Sequence, residues 1–257
     1  MMIKKNGSIR LITLLLIVTV SFQKKEIKKR DSFATVKIVF NNTVKNSRIY
    51  LYDSTYTNPF GEKYTITKFR YYVSDIFLKS TIKNAAEKNS YHLIDQGNVE
   101  SQSFSFPVAP GDYTSLNFLL GVDSLHNVSG AQTGALDPTK DMFWTWNSGY
   151  VMAKLEGNSP SSTLVNNKFE FHIGGYAGEY NVLKNIQLSF PEDKPIYFAS
   201  NKTITIIINA DVNAWWHNPN EIKIAEHANI TSPGKLALAI SDNYKNMFHI
   251  EKIITGN

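Results

Sequence analysis

From Thr35 onward the chain alternates short β-branched and aromatic runs with clusters of Asn, Gly, Ser and Pro. That patterning predicts strands joined by turns, the signature of an antiparallel sandwich or barrel. In Val36-Lys-Ile-Val-Phe40 and in Phe169-Glu-Phe-His-Ile173 polar and apolar residues alternate, so each strand should bury one face and wet the other. Further strands are expected at Ser47 to Tyr52, Tyr64 to Leu78, Tyr91 to Asp95, Gln102 to Val108, Tyr113 to Leu120, Gly149 to Leu155, Asn185 to Phe190 and Thr203 to Val212. Within the last, Ile204-Thr-Ile-Ile-Ile-Asn209 is apolar enough to be expected buried on both faces. Only the tail reads as helical, starting near Pro233 with Leu236, Leu238, Ala239 and Tyr244 as its apolar set. Lys83 to Lys88 reads as a short helix or a loop, and no fixed-period repeat is present. The predicted fold class is all-β, an antiparallel β-sandwich or partly open barrel with long loops and a short C-terminal helix.

The first 21 residues break this pattern. Lys4, Lys5 and Arg10 precede the apolar run Leu11 to Val20, too short to span a bilayer but suited to the core of an export signal. Residues 1–21 are therefore expected to be a signal peptide, 22–32 a basic linker, and 33–257 one β domain. The chain should work outside the cytoplasm of a bacterium, as a periplasmic, cell-surface or secreted protein. It would meet the membrane only through this N-terminal segment, if that were left uncleaved. With 257 residues, 42% hydrophobic and 19% charged, the chain can bury a sizeable core. Its formal charge of +5 is concentrated at the N-terminus. Removing the first 30 residues takes away eight basic residues and Glu26, leaving 19 basic against 21 acidic. The body is close to neutral, which offers no electrostatic footprint for nucleic acid. The absence of Cys excludes disulfides, thiolate metal sites and Cys nucleophiles.

The longest stretch without a clean strand pattern is Gly121 to Asn147, GVDSLHNVSGAQTGALDPTKDMFWTWN. Loops of more than about 15 residues inside a compact domain are uncommon and often functional. This one carries Asp123, His126, Asp137, Asp141, Trp144 and Trp146; as plain packing, Gly130 and Gly134 would supply turns while the Trp pair covered the core. His172 precedes Gly174-Gly175 at a strand end, where glycines permit close backbone approach or positive φ. Asn213-Ala-Trp-Trp-His217 follows the most apolar strand, so Trp215 and Trp216 are lid or core residues and His217 is expected to face solvent. His126, His172 and His217 could cluster at one end of a β domain; imidazole is then the one donor besides Met thioether able to select copper, and zinc would be acceptable to the same set. Short metal motifs such as H-E-x-x-H are absent, as are the G-x-S-x-G elbow and phosphate-cradling loops.

The run GVDSLHNVSGAQTGALDPTKDMFWTWNSGYVMAKLEG, joined to the downstream FHIGG, resembles the MbnP-type copper-binding protein family. The resemblance is densest over residues 64–175 and extends through Tyr71-Tyr-Val-Ser-Asp75 and Tyr91-His-Leu-Ile-Asp95. It implies an exported, mainly β protein related to copper acquisition. It also implies copper held by two histidines and a kynurenine made from tryptophan, with a dihaem c-type peroxidase-like partner performing that oxidation. His172, inside the matching FHIGG, is the first metal candidate, and Trp144 and Trp146 in FWTWN are candidates for the oxidised tryptophan. Outside the densest block, Trp215 and His217 form a Trp-x-His arrangement that resembles the same pairing, while His126, inside that block, is a reserve ligand.

The function expected is non-catalytic copper capture through histidine. The alternative is a structural β-sandwich that binds protein or glycan without metal, and a hydrolase built on scattered carboxylates ranks third.

Overall fold

The computed structural model describes residues 32–88, 90–144 and 149–256. The expected signal peptide, nearly all of the basic linker, and Trp146 lie outside the described residues. In chain order the strands are β1 (Ala34–Val44), β2 (Ser47–Arg48), β3 (Thr55–Thr57), β4 (Lys63–Lys79), β5 (Ala85–Ala86), β6 (Tyr91–Asp95), β7 (Ser103–Val108), β8 (Gly111–Tyr113) and β9 (Ser115–Leu120). Then follow α1 (Ser124–Val128), β10 (Phe143–Trp144), β11 (Gly149–Asn158), β12 (Lys168–Gly174), β13 (Lys184–Ser189), β14 (Ile196–Phe198), β15 (Thr203–Asp211), β16 (Asn229–Ile230), α2 (Lys235–Tyr244) and β17 (Phe248–Thr255).

Two main sheets form. The smaller runs β17-β15-β1-β2, with β7 also paired to β1. The larger runs β13-β9-β4-β11-β12-β16. The 17 residues of β4 form its spine and also pair with β3, β5 and β6. Most pairings are antiparallel, but β1 and β15 run parallel from Thr35↔Thr203 to Thr43↔Asp211, and β12 pairs β16 in parallel. A parallel pair needs a crossover; here β1 and β15 are separated by most of the larger sheet, which supplies it.

The alternation predicted for β1 is observed, with Ala34, Val36, Ile38 and Phe40 inside and Thr35, Lys37 and Asn41 outside. On β15 the outcome differs from the expected burial on both faces. Ile204, Ile206 and Ile208 are buried, whereas Thr205 and Ile207 are half-covered on the outer face of the sheet. The inner faces meet in an aromatic core: Phe40 and Phe248 meet edge-on and each contacts both Tyr71 and Phe118 edge-on, Tyr71 against Phe248 at 5.6 Å between centroids and Phe118 against Phe248 at 5.2 Å. Edge-to-face geometry aligns the positive rim of one ring with the negative face of the next.

Helix α2 lies where the tail was expected, but it buries Ala237, Ile240, Ser241, Asn243 and Tyr244, while Leu236 faces solvent. The apolar stripe is thus shifted around the helix from the set expected. The stretch 83–88, read as a short helix or a loop, is irregular apart from Ala85 and Ala86, which form the short strand β5 against β4. Among the described residues no helix is long and apolar enough to cross a membrane.

Candidate metal site

The long Gly121 to Asn147 stretch is structured by local hydrogen bonds. Asp123 caps α1, its carboxylate accepting from His126 N at 3.1 Å, which satisfies one of the free amides of the first turn. Asn127 then anchors the helix to the sheet: its Nδ2 donates to the Asp123 carbonyl and its Oδ1 accepts from Tyr150 N at 2.9 Å. Farther on, Asp137 caps a one-turn helix over Pro138–Lys140, and Gly130 and Gly134 adopt the positive φ that their turns require.

This scaffold fixes His126. Its Nδ1 lies 2.8 Å from Asp123 Oδ2 and 2.7 Å from Tyr91 Oη, and the Tyr91 hydroxyl in turn donates to Asp123. Tyr91 reaches the triad from β6 through its pairing with Ser74 on β4. Burial works to raise the Asp123 carboxyl, but the Tyr91 and His126 hydrogen bonds outweigh it and hold the group below the ordinary carboxylate range. Asp75, nearby on β4 with φ of 49°, is pushed up by burial and then by the Asp123 charge. The Tyr91 phenol is raised by burial and by its bond to Asp123.

A carboxylate accepts only, so Nδ1 of His126 must carry the ring proton. The lone pair is then on Nε2, at a residue that lines a cavity of about 510 Å³ together with Tyr91 and Gln132. An imidazole oriented by a carboxylate on its other nitrogen is the usual arrangement of a metal-ligating histidine. The Asp123 and Tyr91 oxygens sit at Nδ1, across the ring, so they orient the imidazole and leave Nε2 as a single borderline donor suited to copper.

His172 occupies a different environment. Two cross-strand rows place Arg70, Lys154 and His172, then Lys68, Glu156 and Glu170, across β4, β11 and β12. His172 Nε2 lies 2.8 Å from Glu156 Oε1, and Glu156 also pairs with Lys68 at 3.3 Å. Asp141, from the long loop, reaches Lys68 at 2.8 Å and Lys154 at 3.1 Å and so ties the loop to the sheet. Lys154 is almost wholly buried, and desolvation pushes its ammonium below the ordinary lysine range against the pull of Asp141. For Glu156, burial is outweighed by His172, Lys68 and Lys154, which hold its carboxyl down.

His172 and Trp144 line one cavity of about 380 Å³, with Lys154 and Thr231. The two glycines after the histidine make this possible. A Cβ on Gly174 would sit 2.4 Å from the Trp144 ring, and Gly175 takes φ of +126° beneath the Tyr180 carbonyl. The loop is therefore packed on the sheet through Trp144.

The third histidine, His217, is exposed beyond a turn, whereas Trp215 is fully buried between Phe69 and Tyr244. Trp216 is core as well, its indole N–H donating to Tyr64 Oη at 3.2 Å. The Trp215-x-His217 pairing considered from sequence is thus divided between interior and surface. Among the described residues no three His, Asp or Glu side chains converge as a ready metal-holding group. The structure brings His172 to Trp144, and His126 to two oxygen donors. The Tyr91 and Asp123 partners of His126 were missed from sequence because Tyr91 lies 32 residues from Asp123; the adjacent Asp123 and His126, in Asp-x-x-His spacing at a helix start, were the signal available.

No curated protein matches the chain. A solved structure, MbnP from Methylosinus trichosporium, aligns with a TM-score of 0.48 at 12% identity, covering 87% of this chain and 98% of that one. The family model described as MbnP matches residues 33–233, which include both strand rows, the Asp123–His126 cap and the Trp144 loop. The chain belongs to the MbnP family.

Proposed function

We propose that this chain is an exported, non-catalytic copper-binding protein that captures the metal through imidazole nitrogen, with His126 as its leading ligand. The observation that supports this most directly is the Asp123–His126 pair: the carboxylate fixes Nδ1 as donor and leaves the Nε2 lone pair for a metal. Local charge favours a cation there, since Asp75 and Asp123 interact with each other and with the histidine. Membership of the MbnP family supplies the association with copper. At His172 the balance differs, because Lys68 and Lys154 already neutralise Glu156 and Asp141.

Copper delivers no turnover in this reading; the protein holds it outside the cytoplasm. Trp144, beside His172, is the described tryptophan best placed for the family's oxidation to kynurenine, which a dihaem c-type peroxidase-like partner would carry out. Intact mass of protein purified from its own host reads that modification directly.

The deciding experiment is metal analysis and chelator competition on wild type, His126→Ala, His172→Ala and His217→Ala. The wild type should retain copper and His126→Ala should lose most of it, with His217→Ala unchanged. No copper on the wild type, or full retention in both His126→Ala and His172→Ala, overturns the reading.

A further inference from the structure

The outer face of the smaller sheet carries a second polar site, remote in composition from the histidine and tryptophan residues above. Asn41, Asn209 and His249 form one cross-strand row over β1, β15 and β17. Asn209 is only 5% exposed although it points to the outer face. Its Oδ1 accepts from Thr43 Oγ1 at 2.8 Å, while its Nδ2 has no partner among the described residues, and the residue borders a cavity of about 610 Å³. That nitrogen keeps contact with solvent and can donate to a ligand oxygen in place of water.

The charges around that amide have a definite sign. Lys37 and Arg48 border the same cavity and pair with no carboxylate among the described residues. Glu251, the single carboxylate on that wall, accepts from Asn41 Nδ2 at 2.7 Å and leaves the two cations in excess by one charge. One side is held rigid by Asn42, which accepts from the Tyr71 hydroxyl at 2.9 Å and donates to Gln96 at 3.0 Å. Arg48 also borders a neighbouring cavity of about 600 Å³ whose wall includes Tyr50, an aromatic side chain 56% exposed to solvent. An amide donor, two unpaired cations and an exposed ring therefore line two cavities that share Arg48 as a wall residue. Both volumes lie in the range of small-ligand sites.

We propose that this groove binds an acidic oligosaccharide. A sugar carboxylate suits the Arg48 fork and the Lys37 ammonium. Ring hydroxyls, which accept as well as donate, match the Asn209 Nδ2 donor, and the apolar face of a sugar ring can lie on Tyr50.

The test is calorimetric titration of the full-length protein, with chelator present so that copper plays no part, using oligogalacturonate, oligoalginate, a neutral galactose oligomer and polyglutamate. The wild type should bind at least one of the two uronate oligomers, more weakly as salt rises, and both comparison polymers much less. Arg48→Ala, an exposed change that leaves the core intact, should weaken binding by about tenfold or more. Tyr50→Ala should weaken it as well, while His126→Ala should bind like the wild type. Absence of binding to both uronates, equal binding of the neutral oligomer or of polyglutamate, or unchanged binding in both Arg48→Ala and Tyr50→Ala overturns the proposal. None of these outcomes bears on copper retention, so the two readings fail separately.

Discussion

Asp123 does two jobs at one residue: it caps α1 through His126 N and orients the His126 ring through Nδ1. Asn caps a helix about as well as Asp, but a neutral amide neither holds the imidazole N–H as strongly nor adds negative charge beside a metal. Asp123→Asn should therefore leave thermal stability close to wild type while weakening copper binding by about 10- to 100-fold, the usual cost of losing an outer-shell carboxylate. Competition with a copper chelator alongside a melting curve separates the two effects. A parallel fall in melting temperature would make Asp123 a structural cap only. This pairing was only half legible in the sequence. Asp123 and His126 stand three apart and could be read as a helix start, but Tyr91 joins them through strand pairing that no local pattern announces. His172 was visible through its Gly-Gly neighbours, whereas its Glu156 partner depends on the register of β11 against β12.

Elements of strongly alternating sequence, such as β1, β4 and β12, were legible because the period of two survives one-sided burial. Helix α1 was missed because five residues carry too little periodicity, and β17 because its mixed Phe-His-Ile-Glu-Lys run sits on a sheet edge. The parallel partner of β1 was illegible for a different reason: periodicity reports a strand's faces and says nothing of its neighbour. Between elements, the ionic cluster joining β4, β11, β12 and the long loop gives a pH-dependent prediction. Glu156 and Asp141 both have carboxyls held below their ordinary values, in each case by partners that outweigh burial. A carboxyl depressed in the folded state contributes stability above its unfolded value and loses that contribution as pH falls through the folded value. Lys154→Met removes the buried cation and leaves the partly exposed Asp141 and Glu156 to Lys68 as their remaining lysine, which should cost about 1 kcal/mol near neutral pH. The gap from wild type should narrow as the pH drops below about 4, the ordinary carboxylate range. Denaturant titrations at several pH values check it, and a gap independent of pH would assign the loss to packing alone.

At the scale of the molecule, the family match ends at residue 233, yet the fold does not. Residues beyond it supply α2 and β17, and β17 pairs with β15 from Ile204↔Thr255 to Ala210↔Phe248. Phe248 completes the aromatic group of Phe40, Tyr71 and Phe118, while Tyr244 packs on Trp215 at 4.9 Å. Ala237, Ile240 and Met247 are buried as well. Each large apolar side chain buried is worth roughly 1.5–3 kcal/mol, and a domain's whole net stability is only about 5–15 kcal/mol. Removing the segment also uncovers the backbone edge of β15, a template for pairing between chains. A chain cut after Pro233 should therefore lose its cooperative thermal transition and aggregate, although it retains the entire matched region. Circular dichroism melting with size-exclusion chromatography tests this directly. A soluble, cooperatively melting truncation would show that the sheet closes without β17 and that the matched region is the folding unit.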